Sequence, residues 1–229
     1  GNVTTNSWIY VNVSSNSSGG HYAFVNFNNS LVSWWTFDNA SGNSSGAILY
    51  DNGNFNNTGI LINGTYIKSS SAFGNASHFT ASTLDRINLS KASIGNNRYY
   101  TLSVWVFPTA TTGTIYAEGN STNGFSMFAF LFAANALTIV NRDANSVGWV
   151  NTSAGTVTQS VWNHLVVIRD GANGYIYRNG VSIANNTFTE PGNYIVDRFN
   201  IGVRERTTFD SYYDGWMDEM IIFNRSLSQ

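Results

Sequence analysis

The chain has 229 residues, of which 10% are charged, and a net charge of −2; this excludes the basic footprint of a nucleic-acid binder and a long acidic tail. It contains no cysteine, so disulfides, thiolate catalysis and thiolate metal sites are excluded. No run of 18 apolar residues occurs, so no helical membrane span is expected in this segment.

Residues 1–30 stand apart from the rest of the chain. Trp8-Ile-Tyr-Val-Asn-Val13 and His21-Tyr-Ala-Phe-Val-Asn-Phe27 alternate as two short strands around a polar turn. A lone strand pair is marginal in water, so its apolar face (Trp8, Ile9, Phe24, Phe27) is expected to pack on a neighbouring domain or subunit. From residue 31 to 229 the chain reads as strands throughout. They are expected at Val32–Phe37, Ile60–Ile62, Arg86–Leu89, Leu102–Phe107, Thr114–Ala117, Phe125–Phe132 and Ala136–Val140. Further strands are expected at Val147–Asn151, Trp162–Arg169, Gly174–Arg178, Val181–Ala184, Phe199–Val203 and Met217–Phe223. Gly, Asn and Asp punctuate them at the short intervals of a β-sandwich. Asn179-Gly180 is a hairpin turn signal. No stretch carries a capped 3.6-residue period. The fold class is therefore all-β, with two antiparallel sheets.

Six motifs occur in order: Leu31-Val-Ser-Trp-Trp-Thr-Phe-Asp38, Tyr100-Thr-Leu-Ser-Val-Trp-Val-Phe-Pro108, Trp162-Asn-His164, Tyr175-Ile-Tyr-Arg-Asn-Gly180, Phe199-Asn-Ile-Gly202 and Asp214-Gly-Trp-Met-Asp-Glu219. This series resembles the laminin-G-like, concanavalin A-like jelly roll of the lectin and glucanase superfamily, over roughly residues 31–228. The resemblance implies a two-sheet jelly roll and a non-catalytic adhesion or glycan-binding module of a larger surface glycoprotein. A structural subunit or spacer of a surface layer or filament is the alternative. Glucanases of this fold carry a Glu-x-Asp-x-x-Glu strand, and none of Glu118, Glu190, Glu205 or Glu219 stands in that spacing. Asp218 and Glu219 are adjacent in a strand and are expected on opposite faces, which precludes a hydrolase carboxylate pair.

Asp51-Asn-Gly-Asn-Phe-Asn-Asn-Thr-Gly59 offers hard oxygen ligands and is similar to an Asn-rich loop of that family. A structural Ca²⁺ is expected there, with Asp38, Asp51 and Asp218 as side-chain ligands. Asx turns would explain the same loop without a metal. Trp149, Asp210, Tyr212, Tyr213 and Asp214 lie beside turns and combine aromatic faces with carboxylates, the chemistry of a glycan site. Trp34, Trp105, Trp162 and Trp216 are expected in the core, and His164 as a structural strand residue. Fourteen Asn-x-Ser/Thr sequons point outside the cell, with Asn43, Asn63, Asn120 and Asn185 expected to carry glycans and Asn88 excluded by its strand. The expected partners are carbohydrate, a surface glycoprotein, or neighbouring copies or domains of the same protein, and not nucleic acid.

Overall fold

The structure, a computed structural model, describes residues 29–69, 73–124, 127–143, 147–153, 155–187 and 195–227. The expected N-terminal strand pair lies outside the described residues.

The strands, in chain order, are β1 (Leu31–Trp35), β2 (Ile48–Leu49), β3 (Gly59–Ile62), β4 (Tyr66–Ser69), β5 (Asn75–Phe79), β6 (Arg86–Leu89), β7 (Tyr99–Pro108), β8 (Gly113–Gly119) and β9 (Met127–Ala133). They continue as β10 (Ala136–Arg142), β11 (Val147–Asn151), β12 (Asn163–Asp170), β13 (Asn173–Arg178), β14 (Val181–Thr187), β15 (Arg198–Ile201), β16 (Arg204–Glu205), β17 (Phe209–Asp210) and β18 (Gly215–Phe223). All thirteen expected strands are present; Arg86–Leu89 and Val147–Asn151 match at both ends, and the others have shifted ends. β2, β4, β5, β16 and β17 were not expected. A short 3-10 turn, Ala81–Thr83, links β5 to β6.

Two antiparallel sheets face each other as a jelly-roll sandwich. The first runs β14-β13-β12-β7-β18-β5-β4, with β1 also paired to β18. The second runs β11-β10-β9-β8-β15-β6-β3-β2. A separate two-stranded ribbon, β16–β17, lies over the second sheet. The alternation of β7 builds one face of the core: Leu102, Val104 and Val106 point inward, and Ser103, Trp105 and Phe107 outward. Phe128, Phe130 and Phe132 of β9 meet them from the opposite sheet. Trp35 is fully buried among these rings, and its indole N–H donates to the Asn57 carbonyl at 2.9 Å. Asn179 and Gly180 both take positive φ, 50° and 79°, which closes the β13–β14 hairpin with the right-handed twist that its strands need.

Buried carboxylates hold the loops. Asp51 accepts backbone N–H groups of Trp34, Gly53 and Asn57 at 2.6–2.7 Å. Glu118 accepts those of Ser93, Ile94 and Gly95 at 2.7–2.8 Å and the Tyr116 hydroxyl at 2.6 Å. Asp85 accepts Gly64 N, Thr80 N and Thr83 Oγ1 at 2.7–2.9 Å. Each clamp ties a loop to a strand through donors that would otherwise be orphaned.

Two histidines sit on the outer face of the first sheet. His164 shares a 2.8 Å hydrogen bond with Ser103 Oγ and packs on Trp105; His78 stacks on Tyr66 and meets Trp216 edge-on. Burial lowers the pKa of both below the usual 6.5, against the opposing pull of Asp85 and Asp214 on His78. A histidine with a depressed folded pKa takes up its proton more readily in the unfolded chain. Stability from this source is therefore full above pH 6.5 and is lost as pH falls below it. Urea titrations from pH 7.5 to 5 should show a declining midpoint. The decline should be shallower in a His78→Gln, His164→Gln double variant; equal slopes would refute the assignment.

Candidate functional site

A cavity of about 350 Å³ opens on the outer face of the second sheet, lined by residues of β6, β15 and the β16–β17 ribbon. Asn88 and Asn200 are cross-strand partners, and both point away from the core because Ile87 and Ile201 beside them point into it. The ribbon roofs the floor because Gly119 of β8 lets it approach: a Cβ at this position would collide with the Glu205 carbonyl oxygen. Glu205 is a bridge at the cavity wall. Its carboxylate accepts Asn200 Nδ2 at 3.0 Å and pairs with Arg198 Nε at 3.0 Å. Asn200 is 1% exposed, yet its Oδ1 has no hydrogen-bonding partner among the described residues. Phe209, 40% exposed, closes the other side as an apolar wall. It is braced by the Arg86 guanidinium at 4.5 Å and by Tyr212 stacked at 6.3 Å.

Of the residues expected to bind glycans, Tyr212 and Asp210 belong to this region as supports. Asp210 holds Arg204 Nε at 2.5 Å and Arg206 Nη2 at 2.8 Å, fastening the ribbon. Burial opposes its charge, but the two guanidiniums outweigh burial and keep its carboxyl below the usual range. Tyr213 is a correction. It is fully buried, with its ring edge-on to Phe79 and Phe132 and its hydroxyl donating to the Trp216 carbonyl at 3.0 Å, so it cannot meet a ligand. Asp214 is separated from this cavity; it lies at the start of β18 within electrostatic reach of His78. The backbone of Trp149 pairs with Val140, and its side chain lies outside the described residues.

The expected calcium ligands do not converge. Among the described residues no three His, Cys, Asp or Glu side chains are placed to hold a metal ion. Asp51 uses both oxygens in the loop clamp. Asp38 and Asp218 do approach one loop: Asp38 Oδ1 accepts Asn75 N at 2.7 Å, and Asp218 Oδ2 accepts Phe73 N at 3.2 Å. The expectation about Asp218 and Glu219 also needs correcting. A bulge between Asp218 and Ile221, with Glu219 at φ 48°, shifts the phase of β18. Met217 and Met220 both enter the core, and the two carboxylates between them share the outer face. Glu219 Oε2 accepts the Trp34 indole N–H at 2.6 Å; burial raises its pKa, Trp34 opposes that shift and Asp38 adds to it.

The four tryptophans expected in the core are half-buried on the outer face of the first sheet. Trp105 meets His164 and Phe73, Trp162 meets Phe107, and Trp216 meets Tyr66 and His78. Trp34 is pinned by Glu219. These rings are braced against one another, and a trough of about 280 Å³ runs past them between Ser103, His164, Val166, Tyr177, Ile221 and Phe223.

The sequons separate by accessibility. Asn43 and Asn185 are exposed, although Asn185 lies in β14 rather than a loop. Asn63 is exposed in a turn, with Nδ2 donating to the Leu84 carbonyl at 2.9 Å. Asn120 is a correction: it is 8% exposed, its Nδ2 donates to the Ile195 carbonyl at 2.9 Å, and its Oδ1 accepts Thr122 N and Asn123 N. Its oxygen builds the local turn, and its nitrogen is engaged by the carbonyl of Ile195. Asn88 lines the cavity and accepts Arg86 Nε at 3.1 Å.

A laminin-G model described as the concanavalin A-like lectin/glucanases superfamily matches residues 81–229, more than half of the chain, and the chain belongs to that superfamily. No curated protein matches it by sequence. Among solved structures, domain 4 of AbnA, a GH43 extracellular arabinanase from Geobacillus stearothermophilus, in complex with arabinotriose, is 17% identical with a TM-score of 0.65; the match covers 86% of this chain and 94% of that one. The botulinum neurotoxin serotype D binding domain is 17% identical with a TM-score of 0.63, over 88% of this chain and 50% of that one. The binding domain of botulinum neurotoxin DC in complex with SialylT is 15% identical with a TM-score of 0.63, over 88% and 49%. At these identities the likeness establishes the fold.

The clamp and the sequons can both be tested. Asp51→Ala should cost about 3 kcal/mol, because three buried N–H groups lose their acceptor; denaturant titration should give the same loss with calcium and with excess chelator. A loss confined to calcium-containing buffer would instead make Asp51 a metal ligand. In native protein, glycopeptide mass spectrometry should find glycans at Asn43 and Asn185 and none at Asn120; an occupied Asn120 would contradict its placement in the turn.

Proposed function

We propose that this chain is a non-catalytic, extracellular glycan-binding module, and that the cavity between β6, β15 and the β16–β17 ribbon is its binding site. The observation that carries this reading is the cavity itself. It combines fixed polar groups (Asn88, Asn200, Glu205, Arg198) with an exposed apolar ring, Phe209, in a recess of about 350 Å³. A saccharide presents hydroxyls and apolar C–H surface together, and such a mixed wall suits it. Asn200 holds the Glu205 carboxylate at the cavity wall through the 3.0 Å bond from its Nδ2. The bracing of Phe209 by Arg86 and Tyr212, and of the ribbon by Asp210, means little ordering is left to be done on binding.

The fold relatives support the substrate class: one is in complex with arabinotriose, and others are toxin binding domains. Fourteen sequons support the extracellular setting. Non-catalysis rests on the carboxylates. The two in the cavity are both engaged: Asp197 accepts Ser121 N and Oγ at 2.8 and 2.7 Å, and Glu205 holds Arg198 and Asn200. The pair that the β18 bulge brings to one face is held by Phe73 N and Trp34 Nε1. General acid–base work needs a carboxyl free to exchange a proton with the substrate.

A glycan array with the full chain should give reproducible binding to a defined set of saccharides. Phe209→Ala should weaken that binding about tenfold or more, as expected for losing an apolar wall worth about one to two kcal/mol, with the melting temperature within a few degrees of wild type. Undiminished binding in Phe209→Ala would move the site elsewhere.

A further inference from the structure

From the charges and hydrogen-bonding valences around the cavity we infer that its ligand is an electrically neutral saccharide, selected against uronates, sialates and sulfated glycans. This rests on the reading of the cavity as a glycan site. Among the described residues, the lining contains one guanidinium, Arg198, against two carboxylates, Asp197 and Glu205. Arg198 already pairs with Glu205 at 3.0 Å and approaches Asp197 at 3.8 Å. Recognition of a carboxylate or sulfate needs a guanidinium whose N–H fork is free to face it.

The neighbouring arginines also hold partners, although Arg206 Nε has none among the described residues. Arg204 and Arg206 clasp Asp210 at 2.5 and 2.8 Å. Arg86 donates to Asn88 Oδ1 and the Leu84 carbonyl while it covers the Phe209 ring. An anion entering the cavity therefore meets two carboxylates and a neutralised Arg198.

Glu205 also sets the hydrogen-bonding valence of the cavity wall. Asn200 donates its Nδ2 to Glu205 and keeps an acceptor, Oδ1, with no donor among the described residues. Glu205 thus presents an acceptor at the cavity wall, while Asn200 Oδ1 is closed off from solvent. A hydroxyl satisfies an acceptor; a carboxylate or sulfate has none but acceptors of its own. An anionic substituent beside Glu205 would place like charges together, one of the ways in which a site rejects a competitor.

The test is a solution binding series with the full chain against neutral (arabinan, mannan, laminarin), anionic (polygalacturonate, hyaluronan, heparin) and cationic (chitosan) oligosaccharides at low and high NaCl. The expected result is binding to a neutral probe that changes less than about twofold between about 50 and 500 mM salt, since no net charge is being screened. Glu205→Gln removes one of the two carboxylates and unpairs Arg198; it should weaken neutral binding and raise affinity for an anionic probe about tenfold, with a new salt dependence. Asn200→Asp should lose neutral binding about tenfold or more, because it removes the donor that holds Glu205 and sets a second carboxylate against it. Because Asn200 is buried, melting curves accompany it, and the more accessible Glu205→Gln carries the decision if Asn200→Asp unfolds.

Wild-type preference for an anionic or cationic probe, with steep salt dependence, overturns the inference and leaves the glycan-binding reading in place. Neutral binding untouched by both variants overturns the placement at this cavity. Failure of every probe to bind overturns the glycan-binding reading itself, and this inference with it.

Discussion

A carboxylate that accepts several backbone N–H groups is the interaction on which the rest of this structure depends. A sandwich with no cysteine has no covalent staple for its connections. Asp51, Asp85 and Glu118 supply the substitute. Each takes three or four donors from a turn and holds that turn to a strand. Glu118 shows the tension in this device: burial pushes its pKa up, while Tyr116 and the three N–H groups pull it back. The clamp at Asp51 also fixes Asn57, whose side chain satisfies Ser90, Lys91 and Ser93 in turn. One clamp thus positions the loop that runs from β6 toward β7.

The same economy gives the acidic residues that stood out in the sequence a structural use. Asp38, Asp51, Asp210 and Asp218 each accept protein donors. Asp51 looked like a metal ligand because Asn-rich loops with a carboxylate suit hard cations; the same residues also suit Asx turns, and here the carboxylate turns inward to N–H groups. Asp218 and Glu219 looked like a split pair because strands alternate. A single bulge, invisible in residue identities, reverses that conclusion.

Strands with β-branched and aromatic runs were legible, and so was the Asn179-Gly180 turn. β4 and β5 were not, because Tyr66-Ile-Lys-Ser69 and Asn75-Ala-Ser-His-Phe79 are short and rich in small polar residues. The faces of the tryptophans were in principle readable. In Leu102-Ser-Val-Trp-Val-Phe107 the small aliphatics and the bulky rings alternate, and only one set can point inward. The aliphatic set does, which leaves Trp105 and Phe107 outside. The cavity was only half legible. Tyr212 and Asp210 stood out beside a turn. Asn88, Asn200 and Glu205 did not, because what joins them is strand pairing between β6 and β15 and the close passage of a ribbon over Gly119, both products of tertiary packing.

The position of β18 has a consequence for how the molecule comes into being. It is the last strand in sequence, yet it lies inside the first sheet, between β7 and β5, and it is also the partner of β1. A ribosome delivers it after everything that it pairs with. Until then one edge of β7 is open, β1 has no neighbour among the described strands, and the two halves of that sheet have nothing to join them. The second sheet and the β12–β13–β14 meander can form during synthesis, but closure waits until β18 has cleared the exit tunnel. Contacts spanning nearly the whole sequence also make closure slow. Sealing of the sandwich is therefore a single late event, and a chain shortened before Gly215 lacks the strand that performs it.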